Sequence, residues 1–123
     1  MSNDIIDVSM ISNNTKKIKA AITAIGGYVP DDFISNKDLE KMVDTNDEWI
    51  TARTGIRKRR ILKEKGKATS YLAINAANDL IKKKKLDPKT IDLVILSTIT
   101  PDFHGASTAP TVASKINASN AYA

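Results

Sequence analysis

Trp49 and Arg53 are the residues of this chain whose types and spacing best suit chemistry. They stand four apart in DTNDEWITARTG, residues 44–55, so on a helix they share a face one turn from each other. An indole offers a flat face for stacking, and a guanidinium offers paired N–H donors for an anion. By residue type alone, however, a single tryptophan on a short amphipathic helix is a core anchor, and Thr45 is adequately explained as a helix cap. Other chemistry is excluded outright. With no cysteine among the 123 residues there is no thiol nucleophile, no disulfide and no thiolate zinc site. The only histidine, His104, lies in PDFHGAST, residues 101–108, and reads as a solvated loop or pocket-rim residue.

Charge is the second chemical feature. The net charge is +5, yet eight basic residues and one acid fall between Arg53 and Lys67, which leaves the rest of the chain slightly acidic. A cationic segment of this kind attracts phosphates, an acidic protein or nucleic acid, with a plain solvated surface as the equal alternative. Nucleic acid is disfavoured, because no Phe, Trp or Tyr is interleaved with the charges of that segment. Hydrophobic residues at 41% and charged residues at 27% describe an ordinary globular chain, long enough for one domain. The strongest apolar run, residues 93–96, is too short to cross a bilayer, and the first residues lack a secretory pattern, so a cytoplasmic location is expected.

The elements that must position these residues follow from pattern. Residues 1 to about 17 read as a flexible leader. Alternation from Ile18 to Ala24 predicts a strand that ends in a bend at Gly26 and Gly27. Ser35 with Asp38 predicts the cap of a short helix with Leu39, Met42 and Val43 inward. Thr45 and Glu48 suggest a capping box for the helix that carries Trp49, closed before Gly55. Residues 56–62 read as irregular or edge-strand structure. Thr69 is expected to cap the strongest helix, with Leu72, Ala73, Ala76, Ala77, Leu80 and Ile81 on one face, Asn75, Asn78 and Asp79 outside, and Lys82–Lys85 at its negative end. LVIL at 93–96, apolar on both faces, predicts a strand inside a parallel sheet. Ser107 is expected to cap a last helix through Val112 and Ile116, and residues 120–123 open one more strand. This order is an α/β pattern with right-handed crossovers.

Four segments in series carry a family likeness. GGYVPD at 26–31, SNKDLEKMVDTNDEWI at 35–50, RTGI at 53–56 and LDPKTIDLVI at 86–95 resemble, in order and spacing, the amino-terminal region of β-ketoacyl-acyl-carrier-protein synthase III. The resemblance runs from about Ile18 to Ala123. It implies a thiolase-like fold, with residues 18–123 as part of its first half, ending before the family's catalytic cysteine, histidine and asparagine. The implied activity is that of the initiating ketosynthase of type II fatty-acid synthesis, an acyltransferase that condenses an acyl-CoA primer with malonyl-acyl-carrier protein by decarboxylating Claisen condensation. The 123 residues alone are expected to be inactive, since the nucleophile is missing.

Carried over residue by residue, the resemblance makes Trp49 the stacking partner of the CoA adenine, Arg53 a contact of the adenosine and its phosphates, and Thr45 a hydrogen-bonding partner at the same end. Gly105 lies where the family commonly places a phenylalanine, which makes it a candidate acyl-pocket wall and implies tolerance of longer or branched primers. Arg57, Arg59 and Arg60 are candidate contacts for carrier protein or phosphate. No metal is implied and no cofactor, because acyl-CoA is a substrate; the complete enzyme is expected to be a homodimer without membrane attachment. The alternatives are a ketosynthase of the same fold that makes polyketide or alkylated products, and a noncatalytic basic module that binds nucleic acid or CoA.

Overall fold

The computed structural model of the chain describes residues 20–123. The leader expected at 1–17, and the first two residues of the strand expected from Ile18, lie outside the described residues. Residues 20–24 do not form the expected strand. Alternation makes an extended segment a strand only when a neighbour takes its backbone hydrogen bonds, and no described residue pairs with this one.

Strand β1, Phe33–Ser35, pairs antiparallel with β2, Lys58–Arg60, in the register Phe33 to Arg60, Ile34 to Arg59 and Ser35 to Lys58. Between them run α1, Asn36–Leu39, and α2, Asp47–Thr54. The Ser35 and Asp38 box forms as expected: Asp38 N donates to Ser35 Oγ at 3.2 Å and Ser35 N to Asp38 Oδ2 at 3.0 Å. The helix lasts one turn, however, and loosens into turns over residues 40–42, and Met42 and Val43 stay exposed rather than turning inward. The cap of α2 is Asn46, not Thr45: Trp49 N donates to Asn46 Oδ1 at 2.7 Å. Asn is the stronger N-cap of two adjacent candidates, and in that register Glu48 no longer occupies the third helical position of a capping box. Gly55 closes α2 with φ +69, a left-handed geometry that favours glycine.

Helix α3, Thr69–Lys84, packs on α4, Ala109–Lys115. Val112, Ala113, Ile116 and Ala118 form the buried core, with Ala73, Ile74, Ala77, Ile81, Val94 and Leu96 packed against it. Thr69 does not cap α3. Its hydroxyl donates instead to the Thr100 carbonyl, and Ser70 N donates to Asp102 Oδ1 at 2.9 Å, so a distant loop supplies the cap. Ser107 likewise yields the N-cap of α4 to Thr108, although Ser107 Oγ still accepts from Ala109 N at 3.3 Å. Residues 93 and 122 form an isolated parallel bridge, with Val94 N donating to Tyr122 O at 2.8 Å, so the strand expected to open at 120–123 is reduced to that single pairing. The LVIL run is covered on one face only: Val94 and Leu96 pack inward, while Ile95 is 81% exposed. Beyond the bridge at Leu93 the run is not a strand, because too few neighbours take its backbone hydrogen bonds, and no described residue packs on its second face.

Asp79 was expected outside, yet it joins α3 to the glycine bend, accepting from Gly27 N at 3.0 Å and from Lys83 Nζ at 2.6 Å. The Lys83 ammonium first, and then the Gly27 amide, hold its carboxyl below the usual carboxylate range. A folded-state pKa below the unfolded one gives stability that is present at neutral pH and is lost as pH falls through the folded value. Thermal melts are therefore expected to weaken below about pH 4, and Asp79→Asn should make that acid dependence shallower than in the parent chain.

Candidate functional site

Helix α2 places the sequence-identified pair on its outer side. Ile50 is its only buried residue, and Trp49, almost opposite Asp47 and Thr51 round the helix, is 53% exposed. Among the described residues the tryptophan is therefore not a core anchor. Arg53 lies over the indole, its guanidinium carbon 4.6 Å from the ring centroid. The arrangement is a cation–π contact that leaves the rest of the ring open. A shallow hollow of about 270 Å³, lined by Asp44, Thr45, Asn46 and Trp49, adjoins it. Three candidate residues therefore come together: Thr45 and Trp49 in the hollow, Arg53 on the ring. Asp44 is the one acidic residue lining this hollow, and Arg53 the cation beside it.

The basic segment divides by strand alternation. Lys58 and Arg60 face outward, and Arg59 is half-buried opposite Ile34. Arg59 Nη1 donates to Asn36 Oδ1, and Arg60 Nη1 to the carbonyls of Pro30 at 3.2 Å and Asp31 at 2.7 Å. Arg57 is exposed. Of these three candidate contacts, Arg57 is the most available to a partner, and Arg59 is held within the chain. Lys58 Nζ sits 4.4 Å from the Phe33 ring centroid, so the fold brings an aromatic to the basic segment although none lies within it in sequence.

Gly105 adopts φ +86 in an exposed loop, with open space where a side chain would start. Its backbone alone accounts for glycine, so a phenylalanine at this position would be strained whatever room surrounds it. His104, beside it, is exposed, as a solvated loop residue should be. Among the described residues no cluster of His, Asp and Glu could hold a metal ion, and no helix is long and apolar enough to cross a membrane.

Two residues escaped sequence reasoning. Asn36 is 1% exposed and Asp102 caps α3 from thirty-two residues away. Each acts through partners remote in sequence, which no local pattern signals.

No family model matches the chain. It is 60% identical over 100 residues to a β-ketoacyl-[acyl-carrier-protein] synthase III of Porphyromonas gingivalis, a match covering 81% of this chain and 30% of the relative. Its fold resembles the crystal structure of 3-oxoacyl-[acyl-carrier-protein] synthase III from Aquifex aeolicus, with TM-score 0.73 and 46% identity over 80% of this chain and 32% of that one. It also resembles the priming β-ketosynthase of the R1128 polyketide pathway, with TM-score 0.74 and 34% identity over 80% of this chain and 29% of the other. The chain thus spans about 30% of the length of the curated relatives it matches.

Proposed function

Because this chain, over its matched residues, is a segment of the β-ketoacyl-[acyl-carrier-protein] synthase III family with the thiolase-like ketosynthase fold, we propose that it forms the CoA-facing, amino-terminal part of an initiating ketosynthase. The whole enzyme would condense an acyl-CoA primer with malonyl-acyl-carrier protein, with loss of carbon dioxide. The observation that carries this reading is the half-exposed Trp49 with Arg53 laid on its ring. An adenine fits the open part of the indole, the guanidinium suits the adjoining phosphates, and Thr45 offers a hydroxyl at the same end. Exposed Arg57 and Lys58 suit the acidic carrier protein or the phosphates, with Arg60 beside them and Arg59 behind. Gly105 would stand at the acyl-pocket wall.

No step of bond formation belongs to the residues in hand. None of the 123 is a cysteine, so none can accept the acyl group as a thioester. The likeness to a priming polyketide ketosynthase favours a second reading, in which the same condensation starts a polyketide rather than a fatty acid.

Trp49 is the only tryptophan, so its fluorescence reports directly on the proposed site. One stacked base contributes about 1–3 kcal/mol and one charge-assisted contact about 1.5–3 kcal/mol, giving roughly millimolar to tens-of-micromolar binding at best. Titration with CoA should quench the emission over that range, whereas pantetheine, which lacks the nucleotide, should not. Equal quenching by pantetheine, or none by CoA up to several times that range, would overturn the reading.

A further inference from the structure

We propose that Asn36 is a positioning residue for the Trp49–Arg53 pair, fixing the rotation of α2 against the basic strand; its ligand-binding consequence rests on the CoA reading above. Asn36 is the largest fully buried side chain among the described residues. Its amide nitrogen donates to Asp47 Oδ1 at 2.6 Å and to the Ile56 carbonyl at 2.8 Å, and lies 3.3 Å from Thr51 Oγ1. Its amide oxygen accepts from Arg59 Nη1 on β2, and its backbone N–H donates to the Arg57 carbonyl at 3.2 Å. One side chain therefore holds the first turn of α2, its second turn, the residue beyond its C-cap and the neighbouring strand. An asparagine amide has two hydrogens and two lone pairs, so these partners use both ends of it.

Apolar packing does little to set the orientation of the helix, although Glu40 Oε1 accepts from Asp47 N at 2.7 Å at its head. Ile50 alone is buried, and one apolar side chain does not define a rotation about the helix axis. The stripe formed by Asp47 and Thr51 does, because it is tied through Asn36 to fixed points on either side. Trp49 and Arg53 lie on the opposite stripe, so turning the first inward turns the second outward. Thr51 Oγ1 also donates to Asp47 Oδ1 at 3.2 Å, which joins the two α2 acceptors into one network. Asp47 is held below the usual carboxylate range, first by the Asn36 amide, and so stays ionised as an acceptor.

The test uses the full chain with Asn36→Ala, read at a temperature where circular dichroism shows both proteins folded. Without ligand, acrylamide should quench Trp49 less steeply than in the parent, by about twofold, as the freed helix lets the indole turn out of solvent while Arg53, one turn away on the same helix, moves with it. If the pair is correctly held in about one molecule in ten, the CoA dissociation constant rises about tenfold. A merely structural asparagine would lower the melting temperature and leave both readings unchanged, and that result would overturn the proposal. If Asn36→Ala does not fold, Asp47→Ala removes the shortest α2 arm while leaving Asn36 in place. It should shift Trp49 quenching in the same direction, and no shift there would equally overturn the proposal. Should the parent chain not respond to CoA, the CoA reading falls by itself, and the ligand-free Trp49 signal still decides the role of Asn36.

Discussion

Replacing Trp49 with alanine is expected to weaken CoA binding by roughly 5- to 150-fold, the loss that corresponds to about 1–3 kcal/mol of base stacking. The indole is the only large flat surface at the hollow formed by Asp44, Thr45 and Asn46, and half of it is open to solvent. Truncation also strips Arg53 of the ring on which its guanidinium rests. A phosphate contact made from a wandering side chain carries a larger ordering cost. Trp49→Phe should recover part of the affinity, because a smaller ring still stacks. Arg53→Met, which keeps a long side chain but no charge, should reduce binding and also flatten its dependence on salt. The variants lacking tryptophan are best followed by calorimetry or ligand-observed NMR. An unchanged dissociation constant in Trp49→Ala would move the nucleotide to another part of the surface.

Gly26→Ala should be the most damaging small substitution in the described residues. A Cβ at this position would stand 2.5 Å from Leu80 N, 2.6 Å from the Ala76 carbonyl oxygen and 2.6 Å from Leu80 Cβ. Two of these are backbone atoms of α3, which cannot swing aside like the end of a long side chain. The clash must be relieved by lifting residues 26–29 from the helix, at an overpacking cost of about 1–3 kcal/mol. For a domain of this size that corresponds to a fall in melting temperature on the order of 10 °C. Lifting the segment also strains the Gly27 N to Asp79 bond and the edge-on contact of Tyr28 with Tyr71, whose ring centroids are 5.8 Å apart. Gly27→Ala is the matched control, since nothing lies within 4 Å of a Cβ there. Equal melting of the two variants would mean that the bend is not seated on α3.

What the sequence made legible was whatever depends on near neighbours. The Ser35 and Asp38 box, the stop at Gly55, the Ala73, Ala77 and Ile81 part of the α3 stripe and the lysines of its last turn all express preferences acting within one or two helical turns, whereas Ile74 joined the core unread. The pairing of Trp49 with Arg53 belongs to the same class, which is why the centre of the candidate site could be read before any fold was known. Competition between adjacent candidates was not legible: Asn46 displaced Thr45, and at the head of α4 Thr108 takes the N-cap position without a side-chain cap while Ser107 Oγ accepts from Ala109 N. Nor were effects set by distant strands. Arg59 turns inward because its register opposite Ile34 puts it on the packed side of the ribbon, and Asn36 is buried because α2, the residue beyond its C-cap and β2 all converge on it. At Gly105 the resemblance drew attention to a missing ring, while the local backbone supplied a simpler reason for glycine that only φ reveals.

The capping of α3 by Asp102 bears on the order in which the chain assembles. Thr69 and Ser70 are made long before Thr100 and Asp102, so the helix first exists with its leading amides satisfied only by water. Closing that gap costs the entropy of a loop of about thirty residues, and it is repaid only when Asp102 N in turn meets Thr108 Oγ1 at the head of α4. Hydrogen bonds thus tie the leading turn of α3, the 100–108 loop and the start of α4 in series, and hydrogen exchange is expected to show them opening together rather than fraying one by one.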